Sequence, residues 1–359
     1  MRHGRPCPDV SRNRGILMLE LAILTILIAL AFTFTNGFQD ASSIAATFIA
    51  SRSATPRAGI LLVAVMSFAG AMLGGSAVAF TLAGLVDIPA GERELVVLFS
   101  ALVTAVAWNL VTWKAGLPSS STHSLVGGLT GAGIAAAGTG CITWGLDALL
   151  SPSPSLEGFT KILVFFALSL GIGFFGSYCM HKASGLLLRN ARRSANRGLV
   201  ALNWCAAGAM AFGNAANDTQ KQMGMIAMVL VASGLTLTAD IPSWARIACA
   251  VLLALGTVSG GWRIMNTLGR RIFRIEPVHS FDSQVFSAAS IVVSTAAGAP
   301  VSSTQVITMS VLGTGAAENP RKVRWEVGRQ ILIAMTVTIP ATMILSGALC
   351  LLLIPLTGA

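Results

Sequence analysis

The sequence predicts an all-α fold: a polytopic transmembrane helix bundle of about ten spans, built from two inverted-topology repeats with re-entrant or broken helices. Three observations carry this. Composition is 54% hydrophobic and only 11% charged, with a mean hydropathy of +0.75, whereas soluble domains carry roughly 25% charged residues. Apolar runs long enough to cross hydrocarbon recur along the chain, at residues 16–35, 60–85, 95–113, 162–180 and 331–354. Finally, two polar motifs each occur twice. Asn36-Gly37-Phe38-Gln39-Asp40-Ala41 is echoed by Asn214-Ala215-Ala216-Asn217-Asp218-Thr219, and Gly116-Leu117-Pro118-Ser119-Ser120-Ser121-Thr122-His123 by Gly298-Ala299-Pro300-Val301-Ser302-Ser303-Thr304-Gln305. Asp218 follows Asp40 by 178 positions and Pro300 follows Pro118 by 182, so the pair of motifs keeps its order and spacing.

The chain divides accordingly into an N-terminal tail (1–14), a first transmembrane repeat (15–181), a basic cytoplasmic linker (182–198) and a second transmembrane repeat (199–359). The apolar run after the tail lacks a small-residue cleavage site and reads as a retained helix. Glycines at 70, 74, 75, 127, 128, 131, 133, 171, 173 and 176 suit close helix approach in lipid. The six cysteines show no Cys-x-x-Cys spacing and read as packing residues, so no metal centre or disulfide is expected.

The net charge of +10 does not point to nucleic acid, because the basic residues sit in short loops between apolar runs. Placing loops 52–57, 114, 182–197, 263–274 and 321–329 inside gathers 16 of the 24 Lys and Arg there. The alternating loops near Arg93, Lys161 and Arg246 then hold three. On that assignment the loop after the Asp40 motif lies inside and the loop after the Asp218 motif outside, which makes the repeats inverted. It also puts the basic tail outside.

Proline followed by hydroxyl residues and a glycine-rich apolar run reads as a helix start, with Ser or Thr as the cap. A single copy would be a plain cap. Two copies inside a membrane offer free backbone N–H groups, the positive end of two helix dipoles and a cluster of hydroxyls. Ser120, Ser121, Thr122, Ser302, Ser303 and Thr304 would together surround a tetrahedral oxyanion without any fixed cation. Asp40 and Asp218 are carboxylates at membrane depth, whose default reading is cation ligand or proton carrier. Lys221 follows Asp218 at i+3 and offers it a structural partner instead. Asn36, Gln39, Asn214, Asn217 and Gln220 supply amide dipoles around the carboxylates. His123, with Gln305 as its counterpart, reads as a capping or gate residue. No Gly-x-Ser-x-Gly elbow accompanies it, so no catalytic residue is assigned.

At these residues the chain resembles the inorganic phosphate transporter (PiT) family, bacterial low-affinity type. Residues 36–57 look like its first-half signature, 216–224 like its second, 118–123 and 300–305 like its Pro-x-Ser-Thr-Thr-His motifs, and 319–340 like its penultimate loop and last helix. The resemblance implies helical hairpins carrying the hydroxyl clusters, with phosphate between Ser120, Ser121, Thr122 and Ser302, Ser303, Thr304. It implies coupling-ion positions at Asp40, Ser43, Asp218 and Lys221. Sodium-coupled relatives carry Asn where this chain has Ser43 and Lys221, and an ammonium group repels sodium. The expectation is therefore phosphate import by proton symport across the cytoplasmic (inner) membrane, with a neutral divalent-metal complex or a protonated phosphate as the species carried. No cofactor is expected. Besides phosphate, the partners are the lipid bilayer and a second copy in a homodimer. Gln39 and Gln305 replace family histidines.

Three other readings remain at this level: a sodium-coupled phosphate or sulfate transporter of the same fold, an intramembrane hydrolase using His123, and a channel. No ring of like charges marks a pore, and inverted halves suit alternating access.

Overall fold

A computed structural model describes residues 8–115, 119–192, 194–259 and 274–357. Gly116, Leu117 and Pro118 of the first hydroxyl motif, residues 1–7 of the tail, Arg193 and most of the basic 263–274 loop lie outside the described residues. Thirteen α-helices are described: α1 (Pro8–Ala50), α2 (Pro56–Leu73), α3 (Ala77–Ala83), α4 (Glu92–Ala115), α5 (Ser121–Ala137), α6 (Leu146–Leu149), α7 (Gly158–Gly171), α8 (Ser177–Leu187), α9 (Ala195–Ala232), α10 (Ser243–Ser259), α11 (Pro277–Ala296), α12 (Ser303–Glu318) and α13 (Trp325–Thr357). A π-helical turn, Ile172–Gly176, joins α7 to α8. The fold is all-α; among the described residues, extended pairing is limited to one bridge between Val86 and Ile142.

Six described helical segments are long and apolar enough to cross a membrane: Gly15–Ala50, Pro56–Leu73, Glu92–Ala115, Gly158–Leu187, Ala195–Ala232 and Thr336–Thr357. Helices α5, α10, α11 and α12 are shorter or more polar.

Local chemistry sets the breaks. Pro56 at the first helical position and the Thr55 side chain, which accepts from Ala58 N, start α2. The apolar run 60–85, expected as one stretch, is instead divided between α2 and α3. At the break Gly74 turns extended, and a Cβ there would press on Gly70 O and Ala216. Arg246 answers the opened helix end, its Nη1 donating to Gly74 O at 2.8 Å.

Two apolar cores flank a polar layer. One holds Phe32, Leu95, Leu98, Leu102, Leu125, Leu129 and Ile226; the other holds Ile44, Val63, Met210, Ile291, Val306 and Leu312. Helix α1 therefore leaves the first core at Phe32, crosses the layer at residues 36–43 and enters the second at Ile44. Helix α9 runs the other way, from Met210 through residues 214–222 to Ile226. The two motif helices cross the layer antiparallel. Helix α5 runs from the layer into the first core, and α12 from the layer into the second.

Close approaches recur at matching offsets. A Cβ at Gly70 would overlap the carbonyl oxygen of Phe212, and one at Gly256 that of Phe34. Phe34 and Phe212 are 178 positions apart, as are Asp40 and Asp218. Likewise Gly131 of α5 packs on the Met343 carbonyl in α13, and Gly313 of α12 packs on the Phe174 carbonyl in the π turn. Those two glycines are 182 positions apart, the offset of the hydroxyl motifs. Each hydroxyl helix is thus covered by a helix from the other half of the chain.

Candidate functional site

The two hydroxyl motifs fold alike. Ser120 (φ −99°, ψ 114°) and Ser302 (φ −95°, ψ 103°) are the N-caps of α5 and α12. Their side-chain oxygens accept the backbone N–H of His123 at 3.2 Å and of Gln305 at 3.4 Å. Both retain a hydroxyl proton to donate. Ser121, Thr122, Ser303 and Thr304 fill the first turns, and all six hydroxyl residues are buried. The structure brings the clusters together: Thr122 Oγ1 donates to Val301 O at 2.9 Å, and His123 Nδ1 meets Gln305 Nε2 at 3.4 Å. His123 also packs on Phe166 at a centroid distance of 4.3 Å.

Asp40 lies against the opposite hairpin, and Asp218 is linked to the opposite one through Lys221. Thr304 Oγ1, from the second half, donates to Asp40 Oδ1 in the first at 3.1 Å. Lys221 Nζ, in the second half, donates to Thr122 Oγ1 of the first at 2.5 Å, to Asp218 Oδ1 at 2.5 Å and to Val301 O at 3.1 Å. This ammonium is 1% exposed. Burial at that depth is tolerable only because an opposite charge and two further acceptors use all three of its protons. The sequence identified Asp218 as the Lys221 partner but not its reach to both hairpins, which makes it a cation standing on the hydroxyl cluster.

The two halves differ at one step of helix. Ser43 stands three residues after Asp40, where Lys221 stands three after Asp218. Asn36, Asp40 and Ser43 share one face of α1, at i, i+4 and i+7. Both amide atoms of Asn36, Asp40 Oδ2 and Ser43 Oγ are buried with no hydrogen-bond partner among the described residues. Asp40 and Asp218 lie near enough to repel each other electrostatically. Asp218 Oδ2 likewise lacks a described donor.

The supporting amides divide. Asn217 holds the second hairpin, donating to Ala299 O at 3.1 Å and Thr295 Oγ1 at 2.9 Å and accepting from Val301 N at 3.3 Å. Gln39 Nε2 donates to Asn109 O at 2.8 Å, on α4 beside the first hairpin. Gln220 points elsewhere: its Oε1 accepts from Val78 N and caps α3.

A second buried cluster escaped the sequence, since its members come from three separate helices. His181 Nδ1 pairs with Asp282 Oδ2 at 2.7 Å, Ser184 Oγ donates to Asp282 Oδ1 at 2.7 Å, and His279 Nε2 meets Glu318 Oε2 at 2.6 Å. His181, His279 and Glu318 have metal-like spacing. Both His279 nitrogens are already engaged, however, because Nδ1 accepts the Glu276 N–H at 3.0 Å. A neutral ring with its proton on Nε2 fits these bonds and offers no lone pair to a metal. The cluster reads as a latch fixing the far end of α12 to α11 and α8.

Comparison with known proteins identifies the family. The pattern of the phosphate transporter family matches residues 36–205 and 188–346. A probable low-affinity inorganic phosphate transporter of Bacillus subtilis (strain 168) is 36% identical, covering 90% of this chain and 94% of that protein. One from Rhizobium meliloti (strain 1021) is 35% identical, with 93% and 96% covered. A solved structure, "The sodium-dependent phosphate transporter", superposes with a TM-score of 0.82 at 21% identity, over 93% of this chain and 99% of that one, and so shares the fold. Such proteins are transporters, which sets the hydrolase reading aside. With its paired motifs meeting in a buried polar layer, this membrane-embedded chain belongs to the phosphate transporter family.

Proposed function

We propose that the chain carries inorganic phosphate across the cytoplasmic membrane by proton symport, with the anion held between the hydroxyl clusters of α5 and α12. The relatives' names and the family match support phosphate as the substrate. The hydroxyls and the first-turn N–H groups of two facing helix N-termini are the chemistry an oxyanion needs. Domain assignment follows the repeats: 15–181 and 199–359, joined by 182–198 after the 1–14 tail. The antiparallel crossing of α1 and α9 supports their inverted relation.

The observation that carries the coupling is the asymmetry at Ser43 and Lys221. In the second half an ammonium occupies the place a transported cation would take beside Asp218. In the first half Asp40 keeps an unpartnered oxygen and faces Asp218. Asp40, with its unpartnered oxygen, carries the proton; the Lys221 ammonium favours the Asp40 carboxylate when it stands free, and favours it less when phosphate draws on Lys221 through Thr122. The carried species is a protonated phosphate or its neutral complex with a divalent metal.

Sodium coupling is the second reading. Asn36 Oδ1, Asp40 Oδ2 and Ser43 Oγ are hard oxygen ligands on one helix face, and the superposable transporter is named sodium-dependent. Labelled-phosphate uptake into proteoliposomes separates the two. An inward proton gradient alone drives uptake on the proposed mechanism, and an inward sodium gradient alone does not. Uptake that follows sodium and ignores pH refutes it.

A further inference from the structure

One cavity lies outside the mechanism above. It measures about 490 Å³ and sits over the Ala296–Gly298 turn that leads from α11 into the second hairpin. Its walls include Phe80, Thr81, Thr143, Glu157 and Lys161. On the charge-derived orientation, this is the outer end of the bundle.

Lys161 is the cation of that cavity. It is half-buried, and it forms no ion pair with any described carboxylate. Its Nζ donates to Thr81 Oγ1 at 3.4 Å, and that hydroxyl donates onward to Gly298 O at 2.6 Å. Two ammonium protons are left to face the cavity. Gly298 adopts φ 67°, a left-handed turn that sends the chain inward to Ser302 four residues later. A cation without a direct ion pair in a concave, low-dielectric wall focuses its field on incoming anions. Glu157 on the same wall opposes retention, which suits a place where an anion pauses and moves on.

We propose that Lys161, with the Thr81 hydroxyl, forms an outer collecting subsite for the phosphate oxyanion, one step before Ser302, Ser303 and Thr304. This rests on the phosphate-transport reading. It assigns Lys161 to substrate capture, not to coupling.

The test is initial-rate uptake of labelled phosphate by full-length protein in proteoliposomes, at low and high ionic strength. Lys161→Gln should raise KM about five-fold at low salt with Vmax within two-fold, and the gap should close near 0.5 M salt, where charges are screened beyond about 4 Å. Lys161→Arg should keep KM within two-fold of the parent. An unchanged KM in Lys161→Gln, or equal impairment in Lys161→Arg, overturns the subsite. Lys161→Cys supplies an independent arm. An impermeant, positively charged thiol reagent should lower its raised KM, and a negatively charged one should not; recovery with neither overturns the proposal. The parent protein is treated in parallel because Cys179 and Cys205 are exposed. Absence of phosphate uptake by the parent protein overturns the transport reading and this subsite together; parental uptake with Lys161→Gln unaltered overturns the subsite alone.

Discussion

If proton symport is the mechanism, replacing Lys221 by asparagine should make the protein sodium-dependent, and stability is the sensitive readout. The substitution removes three donor contacts, to Asp218, Thr122 and Val301. It leaves a carboxylate that is 1% exposed without its counter-ion. Removing one partner of a buried pair costs about 3–5 kcal/mol. Sodium bound beside Asp218 and the new amide restores part of that, about 2.7 kcal/mol at a hundred-fold excess over its Kd. For a chain of this size, about 2 °C of Tm accompanies each kcal/mol, so saturating sodium should raise the variant's Tm by about 5 °C. The assay is thermal unfolding of the detergent-purified protein in sodium chloride against choline chloride. The parent should melt at the same temperature in both salts. The double variant Asp218→Asn/Lys221→Asn carries no buried charge at this point and should regain stability without sodium. A single variant that melts equally in both salts, with uptake still indifferent to sodium, refutes the reasoning.

Further expectations concern other parts of the layer. Asp40→Asn should abolish proton-driven uptake, at least ten-fold in rate, while far-ultraviolet circular dichroism stays unchanged. Thr304→Val removes the donor to Asp40 and one hydroxyl of the proposed phosphate site; a hydrogen bond to a charged group is worth about 1.5–3 kcal/mol, so phosphate KM should rise at least ten-fold. Gly256→Ala places a methyl on the Phe34 carbonyl and should cost about 1–3 kcal/mol, read as a lower Tm. Asp282→Asn weakens the bonds to His181 and Ser184 and should lower Tm while leaving the phosphate KM within two-fold.

The chemistry was legible where the chain says the same thing twice. The hydroxyl motifs and the two Asp motifs stand out by repetition, and their local form, a Ser cap followed by hydroxyls in a first helical turn, follows from those residues alone. What was not legible depends on distance in sequence. Lys221 touches Thr122 and Val301, 99 and 80 positions away, and no periodicity announces such contacts. The His181–Asp282 and His279–Glu318 pairs unite three helices in the same silent way. Hydropathy also misled at Gly74: an unbroken apolar run says nothing of a backbone carbonyl from another helix, or of Arg246 waiting to receive the opened end. Gln220 resembled its motif neighbours in type, yet its face of α9 turns to α3.

The exchange of covers between the halves has a consequence for how the molecule comes into being. Helix α5 bears half of the proposed anion cluster and is made early, but α13, on which its Gly127 and Gly131 pack, is made about 200 residues later. Until α13 is made, those glycines lack the helix they pack on in the folded protein. A chain stopped before Trp325 would hold both hydroxyl motifs and both Asp motifs and still lack the helix that covers the first of them.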